Sequence, residues 1–321
     1  MSTEGGTKAI VAALLANTGI AVTKFIAFLI SGSSSMLAES VHSLADSGNQ
    51  VLLLIGGRRA KRAATPSHPF GYGRERYVYA FLVSIILFSV GGVFSIYEGV
   101  HKLQHPEPIE KAWLPIAVLV VAMVLESFSL RTALRESRPY RQGISILAFV
   151  RRHKSPELPV IVLEDIAALA GLALALIGVL IAVITGDGVW DGVGTVAIGV
   201  LLIVVAIILG VETKSLLIGE GASAGDVDKI TAAATDGPEI EQIIHMKSLY
   251  LGPGELMVAM KVAVPARASA GEVATAIDAV ETRIRAAVPE ARVIYLEPDI
   301  PRDENAAAAI TGSDRADQHT R

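Results

Sequence analysis

The chain has 321 residues, of which 52% are hydrophobic and 19% charged, whereas a soluble domain carries about 25% charge. A formal net charge of −4 offers nothing to nucleic acid, and the absence of cysteine excludes disulfides and thiolate metal sites, so any metal must rely on His, Asp, Glu or Asn. Apolar runs of about 20 residues recur along the sequence, which is the mark of a membrane protein.

Met1 to Thr7 lacks the basic stretch and small-residue cleavage site of a secretory signal, so the first apolar run reads as a retained span. Six spans are expected, at about 8–31, 36–57, 76–99, 113–134, 158–184 and 190–212. Arg58, Arg59, Lys61, Arg62, Arg74 and Arg76 lie between spans two and three. Arg135, Arg138, Arg141, Arg151, Arg152 and Lys154 lie between four and five. The stretches 31–35 and 185–191 carry no Lys or Arg, and only Lys102 and Lys111 separate spans three and four, so both termini are expected in the cytoplasm. Past Thr213 the pattern turns soluble: a helix at 226–235, strands at 243–250 and 256–264 around Gly252-Pro-Gly254, a helix at 270–288 and a strand at 291–297. The expected fold class is an α-helical membrane protein of six transmembrane helices followed by a small cytoplasmic α+β domain. The expected boundaries are a six-span transport domain over 1–212, an α+β regulatory or dimerisation domain over 213–301, and a polar, alanine-rich, disordered tail over 302–321.

Ionisable groups interrupt the apolar runs, and at membrane depth each costs about 3 kcal/mol, so they mark ion paths by default. His42 and Asp46 stand one helical turn apart, on one face, where an imidazole and a carboxylate can hold a small cation together. Glu164 and Asp165 form a second pair. Counting from the expected inner ends of spans two and five puts Asp46 roughly 12–16 Å and Asp165 roughly 11 Å into the membrane. If those spans pack together, His42, Asp46 and Asp165, with Glu164, form a four-ligand N/O site. The competing reading is a set of buried hydrogen-bonded groups that join helices. Asn49 either lends an amide oxygen or makes an interhelical hydrogen bond. Glu126 either relays protons or pairs with Lys24. The segment Ser67-His-Pro-Phe-Gly-Tyr-Gly73 has turn chemistry, and His68 either gathers ions at the inner mouth or completes that turn. His245, Glu297 and Asp299 either form a regulatory metal site or are solvated strand ends. The connector between spans four and five holds a single histidine, His153, and its arginines suit anionic lipid.

The stretch Gly32-Ser-Ser-Ser-Met-Leu-Ala-Glu-Ser-Val-His-Ser-Leu-Ala-Asp46, the Ser67–Gly73 motif and the Asp165 to Gly171 segment resemble the cation diffusion facilitator family. Ala45-Asp-Ser-Gly-Asn-Gln50 and Val160-Ile-Val-Leu-Glu-Asp-Ile-Ala-Ala168 resemble its zinc transporter 9-like branch. The resemblance implies a homodimer of six-span protomers, each with a cytoplasmic ferredoxin-like domain, that exports divalent cations, usually Zn²⁺, in exchange for protons. Many members place two ligands four residues apart on span five. Aligning Asp165 with the second puts Ile161 at the first, and Ile161 cannot bind metal. Either Glu164 substitutes, which requires a rotated or distorted helix because adjacent residues point about 100° apart, or three protein ligands share the ion with water.

The expected function is therefore efflux of a divalent cation, Zn²⁺ foremost, by proton antiport. An imidazole titrating near about 6.5 beside carboxylates can release protons as metal binds and regain them as it leaves. Co²⁺, Ni²⁺, Mn²⁺ and Fe²⁺ stay open, and a non-transporting metal-sensing regulator or a passive channel are the other classes. No Walker A sequence is present, so a primary pump is not expected. No enzyme activity and no prosthetic group are expected. The expected partners are a second copy, divalent metal ions, protons and membrane lipids, with no nucleic acid. The expected location is a bacterial inner membrane, with an organelle membrane as the alternative.

Overall fold

A computed structural model describes residues 3–109, 111–141 and 143–300. The expectation of a disordered tail from Arg302 lies outside the described residues. The chain divides into two compact units that meet between Ile218 and Gly219.

The first unit is helical: α1 (Thr3–Ser31), α2 (Ser34–Arg59), α3 (Glu75–Ile86), a π-helical segment (Leu87–Val93), α4 (Phe94–Gln104), α5 (Trp113–Arg141), α6 (Ile146–Arg152), α7 (Glu157–Thr185) and α8 (Val189–Ile218). Glu75–Gln104 runs as one 30-residue rod through the π segment. This rod, α5, α7 and α8 are the four helices among the described residues that are long and apolar enough to cross a membrane. α1 contributes a shorter apolar stretch, Asn17–Ser31. α2 is the exception to the rule that spans are apolar, and its composition explains why. Its buried face carries Glu39, His42, Ser43, Ser47 and Asn49 rather than leucines.

Gly32, at φ +67°, closes α1 with its N–H bonded to the Phe28 carbonyl at 2.8 Å, and Ser33 opens α2 by accepting from the Met36 N–H at 3.4 Å. A glycine after one helix and a serine before the next is the sequence pattern of a tight helix-to-helix turn. The sequence did not announce α6, a single short helix within the basic connector before α7.

Glycines set the closest helix contacts. A Cβ on Gly99 would lie 2.7 Å from the Val196 backbone nitrogen, and one on Gly199 would lie 2.8 Å from that of Ile96. The rod and α8 thus meet backbone to backbone, the close approach that small residues permit between membrane helices. Around this contact Val83, Leu87, Leu172, Ile198, Leu202 and Leu209 form the fully buried core. Gly199→Val is expected to destabilise the purified protein by about 1–3 kcal/mol through overpacking. Thermal unfolding in detergent checks this, and a melting curve superimposable on wild type would show that the two helices separate freely.

The second unit comprises α9 (Ala224–Thr235), β1 (Gln242–Gly252), β2 (Glu255–Ala263), α10 (Ala270–Ala287) and β3 (Ala291–Asp299), the expected αββαβ order. β1 and β2 form an antiparallel hairpin, and β2 pairs in parallel with β3, giving the sheet order β1-β2-β3. Parallel neighbours need a crossover, which α10 supplies. Ser269 and Glu272 open α10 with a reciprocal capping box. The hydrogen bond that Glu272 accepts from the Ser269 N–H holds its carboxyl below the usual range. Ile230, Leu256, Val258, Val280 and Ile284 form the core between helices and sheet.

Candidate metal site

α2 places His42, Asp46 and Asn49 at i, i+4 and i+7, so all three share one face. His42 is 1% exposed, and its Nε2 stands 3.5 Å from Asp46 Oδ2. The contact lacks hydrogen-bond geometry: neither ring nitrogen of His42 has a hydrogen-bond partner, and neither do Asp46 Oδ1 and Asn49 Oδ1, although all are buried. Buried polar groups are nearly always satisfied, and a row of orphaned acceptors is a place where an ion is expected to coordinate. Imidazole nitrogen with carboxylate and amide oxygen is a donor set that zinc and its neighbours accept.

α2 and α7 pack together, as the depth count required. From α7, Glu164 Oε1 accepts a 2.8 Å hydrogen bond from Asn49 Nδ2 and is 7% exposed. Asp165 turns to α5, where its Oδ2 accepts from Ser129 Oγ at 3.0 Å. The rotated or distorted helix that a ligand role for Glu164 seemed to require is absent, because α7 is continuous α-helix and simply presents Glu164 to α2. Asp165, one residue on, necessarily faces a different neighbour. Asp46, Glu164 and Asp165 are nonetheless within electrostatic reach of one another. Among the described residues no three His, Asp or Glu side chains converge closely enough to hold a metal ion. His42 and Asp46 thus form one close pair and Asn49 and Glu164 another, while Asp165 is held by Ser129.

Lys24 of α1, 1% exposed, donates to Glu39 Oε2 and to Ser43 Oγ, both at 2.9 Å. The pairing of Lys24 with Glu126 that the sequence left open is therefore replaced by a pairing with Glu39, one turn before His42. Glu39 Oε1 lies 3.0 Å from where a Cβ on Gly171 would stand, so α7 needs a glycine there for the ion pair to fit. Lys24→Met is expected to cost about 3–5 kcal/mol, because it strands a buried carboxylate. Adding Glu39→Gln should recover most of that loss. Unfolding midpoints of the single and double variants check both steps, and a single variant as stable as wild type would refute the pairing.

Two residues that the sequence reasoning passed over build the opposite end of α2. Asp191, fully buried in the first turn of α8, accepts from Ser33 Oγ at 3.0 Å, from Ser34 N–H at 2.7 Å and from Ser35 N–H at 3.3 Å. A carboxylate there also meets the positive end of the helix dipole. Lys102 donates to the Gly32 carbonyl at 3.0 Å. The signal was three consecutive serines at the start of a helix, Ser33 as its cap and Ser34 and Ser35 in its first turn.

Most of the remaining candidates have partners of their own. His68 stacks on Tyr72 with ring centroids 4.5 Å apart, and Thr65 and His68 pair through their backbones, so the Ser67–Gly73 motif is an ordered turn. His153 packs against Phe149 and Tyr140, and burial lowers its pKa. In the second unit Lys261 occupies the place between the expected ligands. Its ammonium binds Glu297 at 3.0 Å and Asp299 at 3.1 Å, and those hydrogen bonds, Glu297's first, raise its pKa.

Long apolar helices around a buried row of imidazole, carboxylate and amide groups are the architecture of an integral membrane protein. Residues 10–218 match the family model described as the cation efflux transmembrane domain, and the chain belongs to this family, the cation diffusion facilitators. It is 31% identical over 255 residues to the human protein named proton-coupled zinc antiporter SLC30A9, mitochondrial, covering 79% of this chain and 45% of that one. It is 30% identical over 249 residues to metal tolerance protein C4 of Arabidopsis thaliana, covering 77% and 54%. It is 21% identical over 250 residues to magnetosome protein MamM of Magnetospirillum gryphiswaldense, covering 74% and 71%. The chain spans about half the length of the first two relatives. Within the family it stands close to the SLC30A9 branch.

Proposed function

We propose that this protein exports a divalent cation, Zn²⁺ foremost, from the cytoplasm in exchange for protons, and that it is not an enzyme. The observation that carries the reading is the row of buried acceptors without hydrogen bonds on α2, at His42, Asp46 and Asn49. In this reading the His42 imidazole and the Asp46 carboxylate take the ion, Asn49 offers its carbonyl oxygen while its amide holds Glu164 in place, and Glu164 supplies the second carboxylate. Asp165 joins when α7 shifts relative to α5. Metal and protons compete for the same nitrogen and oxygen atoms, so a site that faces each side in turn converts a proton gradient into metal flux. The names of the human and plant relatives, a zinc antiporter and a metal tolerance protein, support the same reading.

The basic residues concentrated in the connectors 58–76 and 135–154 support cytoplasmic termini. We assign a bacterial inner membrane on the alanine-rich composition, while the human relative's name places that protein in mitochondria. The unit beyond Gly219 acts as the regulatory and dimerisation domain of a homodimer. The test is Zn²⁺ uptake into proteoliposomes with an acidic interior, alongside Co²⁺, Ni²⁺, Mn²⁺ and Fe²⁺. Uptake that stops when an ionophore collapses the pH gradient is expected. Flux indifferent to the gradient would indicate a channel, and no flux for any metal would indicate a regulator.

A further inference from the structure

Between Glu126 and Glu157 the sequence holds six arginines and one lysine but a single carboxylate, Glu136. Arg131, Arg135 and Arg138 are spaced i, i+4 and i+7, so they form one stripe along the last turns of α5, and all three are exposed. None of the three has an ion pair or hydrogen bond among the described residues. The other basic connector differs. There Arg59 lies over the Tyr79 ring at 5.9 Å, Arg62 over Tyr72 at 5.6 Å, and Arg76 pairs with Glu157 at 3.3 Å, so three of its six cations are engaged within the protein.

The place of the stripe in the membrane follows from the length of α5. Trp113, 69% exposed, opens the helix, and Tyr140, 56% exposed, stands near its end. Aromatic side chains of this kind sit at the two membrane interfaces. Arg131 lies 18 residues from Trp113, about 27 Å along the axis, which is close to the roughly 30 Å thickness of the hydrocarbon layer. The stripe therefore begins where hydrocarbon ends and runs outward through the headgroup layer. Beyond it α6 presents exposed Leu147 toward the surroundings while Phe149 and Val150 are buried in the protein.

We infer that the Arg131, Arg135 and Arg138 stripe is a binding site for the phosphate of an anionic phospholipid, and that Tyr140 and Leu147 flank it at the membrane surface. Guanidinium groups hold phosphate through paired N–H donors, and an arginine at the end of a span reaches the headgroups with its charge while its stem stays in hydrocarbon. The inference needs only that the chain is a membrane protein and is independent of the metal it carries.

The test is native mass spectrometry of the full-length protein purified with mixed phosphatidylglycerol and phosphatidylcholine. The wild type is expected to retain phosphatidylglycerol selectively, and Arg131→Gln with Arg135→Gln and Arg138→Gln should lower that selectivity by about tenfold or more. The corresponding triple lysine variant should keep part of it, which separates loss of charge from loss of fold. Arg58→Gln with Lys61→Gln, on the other connector, should change nothing. An equal loss from that control would overturn the site in favour of diffuse charge attraction. Unchanged retention in the triple glutamine variant would overturn it as well, and a simultaneous shift to monomers would reassign the stripe to an interface between copies. Displacement of the lipid by millimolar inorganic phosphate alone would mean that the site takes free anion rather than lipid.

Discussion

Asp46→Ala is expected to abolish gradient-driven Zn²⁺ uptake and to weaken Zn²⁺ binding by more than about a hundredfold. Loss of a group that merely orients a ligand costs about 10–100-fold in metal affinity, and Asp46 is proposed as a ligand itself. Its carboxylate is 3.5 Å from the His42 ring, and its Oδ1 is buried without a hydrogen-bond donor, so no other protein group depends on it. The alanine should therefore remove metal binding while leaving the fold intact. Asn49→Ala should cost at least about 10–100-fold, because it removes the amide oxygen offered to the ion and also frees Glu164 from its 2.8 Å tether. The geometry also ranks the two adjacent carboxylates. Glu164→Gln should damage binding more than Asp165→Asn, since Glu164 is linked to the α2 row and Asp165 to Ser129. Isothermal titration with Zn²⁺ and uptake assays on the same preparations give both readings. Full uptake in Asp46→Ala would remove the α2 row as the site, and the reverse order of the two carboxylates would mean that α7 turns Asp165 inward when metal binds.

Asp191→Ala should be strongly destabilising, costing about 1–3 kcal/mol for each buried donor it leaves unmet. The carboxylate is fully buried and accepts from two backbone N–H groups and two serine hydroxyls. Its removal leaves those donors unmet at the start of α2, where helices already have N–H groups to spare. Asp191→Asn should cost less, because one acceptor oxygen remains. Asp187→Asn, a nearby exposed residue that caps only the Val189 N–H at 3.0 Å, should shift stability by about 1 kcal/mol or less. Thermal unfolding in detergent separates these cases. An Asp191→Ala protein that melts with the Asp187→Asn protein would show that the carboxylate does not hold α2 in place.

The six long helices and the αββαβ unit were legible because apolar run length and alternation are local properties. α2 was legible for a different reason: a polar helix among apolar ones must turn its polar face inward, and His42, Asp46 and Asn49 share that face. What stayed hidden depends on how helices rotate against one another. No spacing rule reveals that Lys24 meets Glu39 rather than Glu126, or that Asp191 reaches across more than 150 residues to Ser33 and Ser34. The roles of Glu164 and Asp165 were ambiguous for the same reason, since either face of α7 was possible until the packing with α2 and α5 was known. The π-helical segment beside His42 was invisible because its residues, Leu87 to Val93, have the composition of any membrane helix.

The first turns of α8 have a mechanical consequence. Within residues 190–199 this helix is fastened to α2 through Asp191, to the rod through Gly192 and Gly199, and to α7 through Gly194, which meets Gly178 at backbone distance. Toward its other end the contacts are looser: a Cβ on Gly210 would stand 3.4 Å from the Ser84 hydroxyl, and Glu212 pairs with Arg151 at 3.7 Å. A bundle clamped at one end behaves like a pair of tongs. Small tilts at the clamp would be magnified along the limbs, so travel would be greatest at the ends that carry Arg59, Glu157 and Ile218 and smaller at the His42 row, a few turns from the clamp.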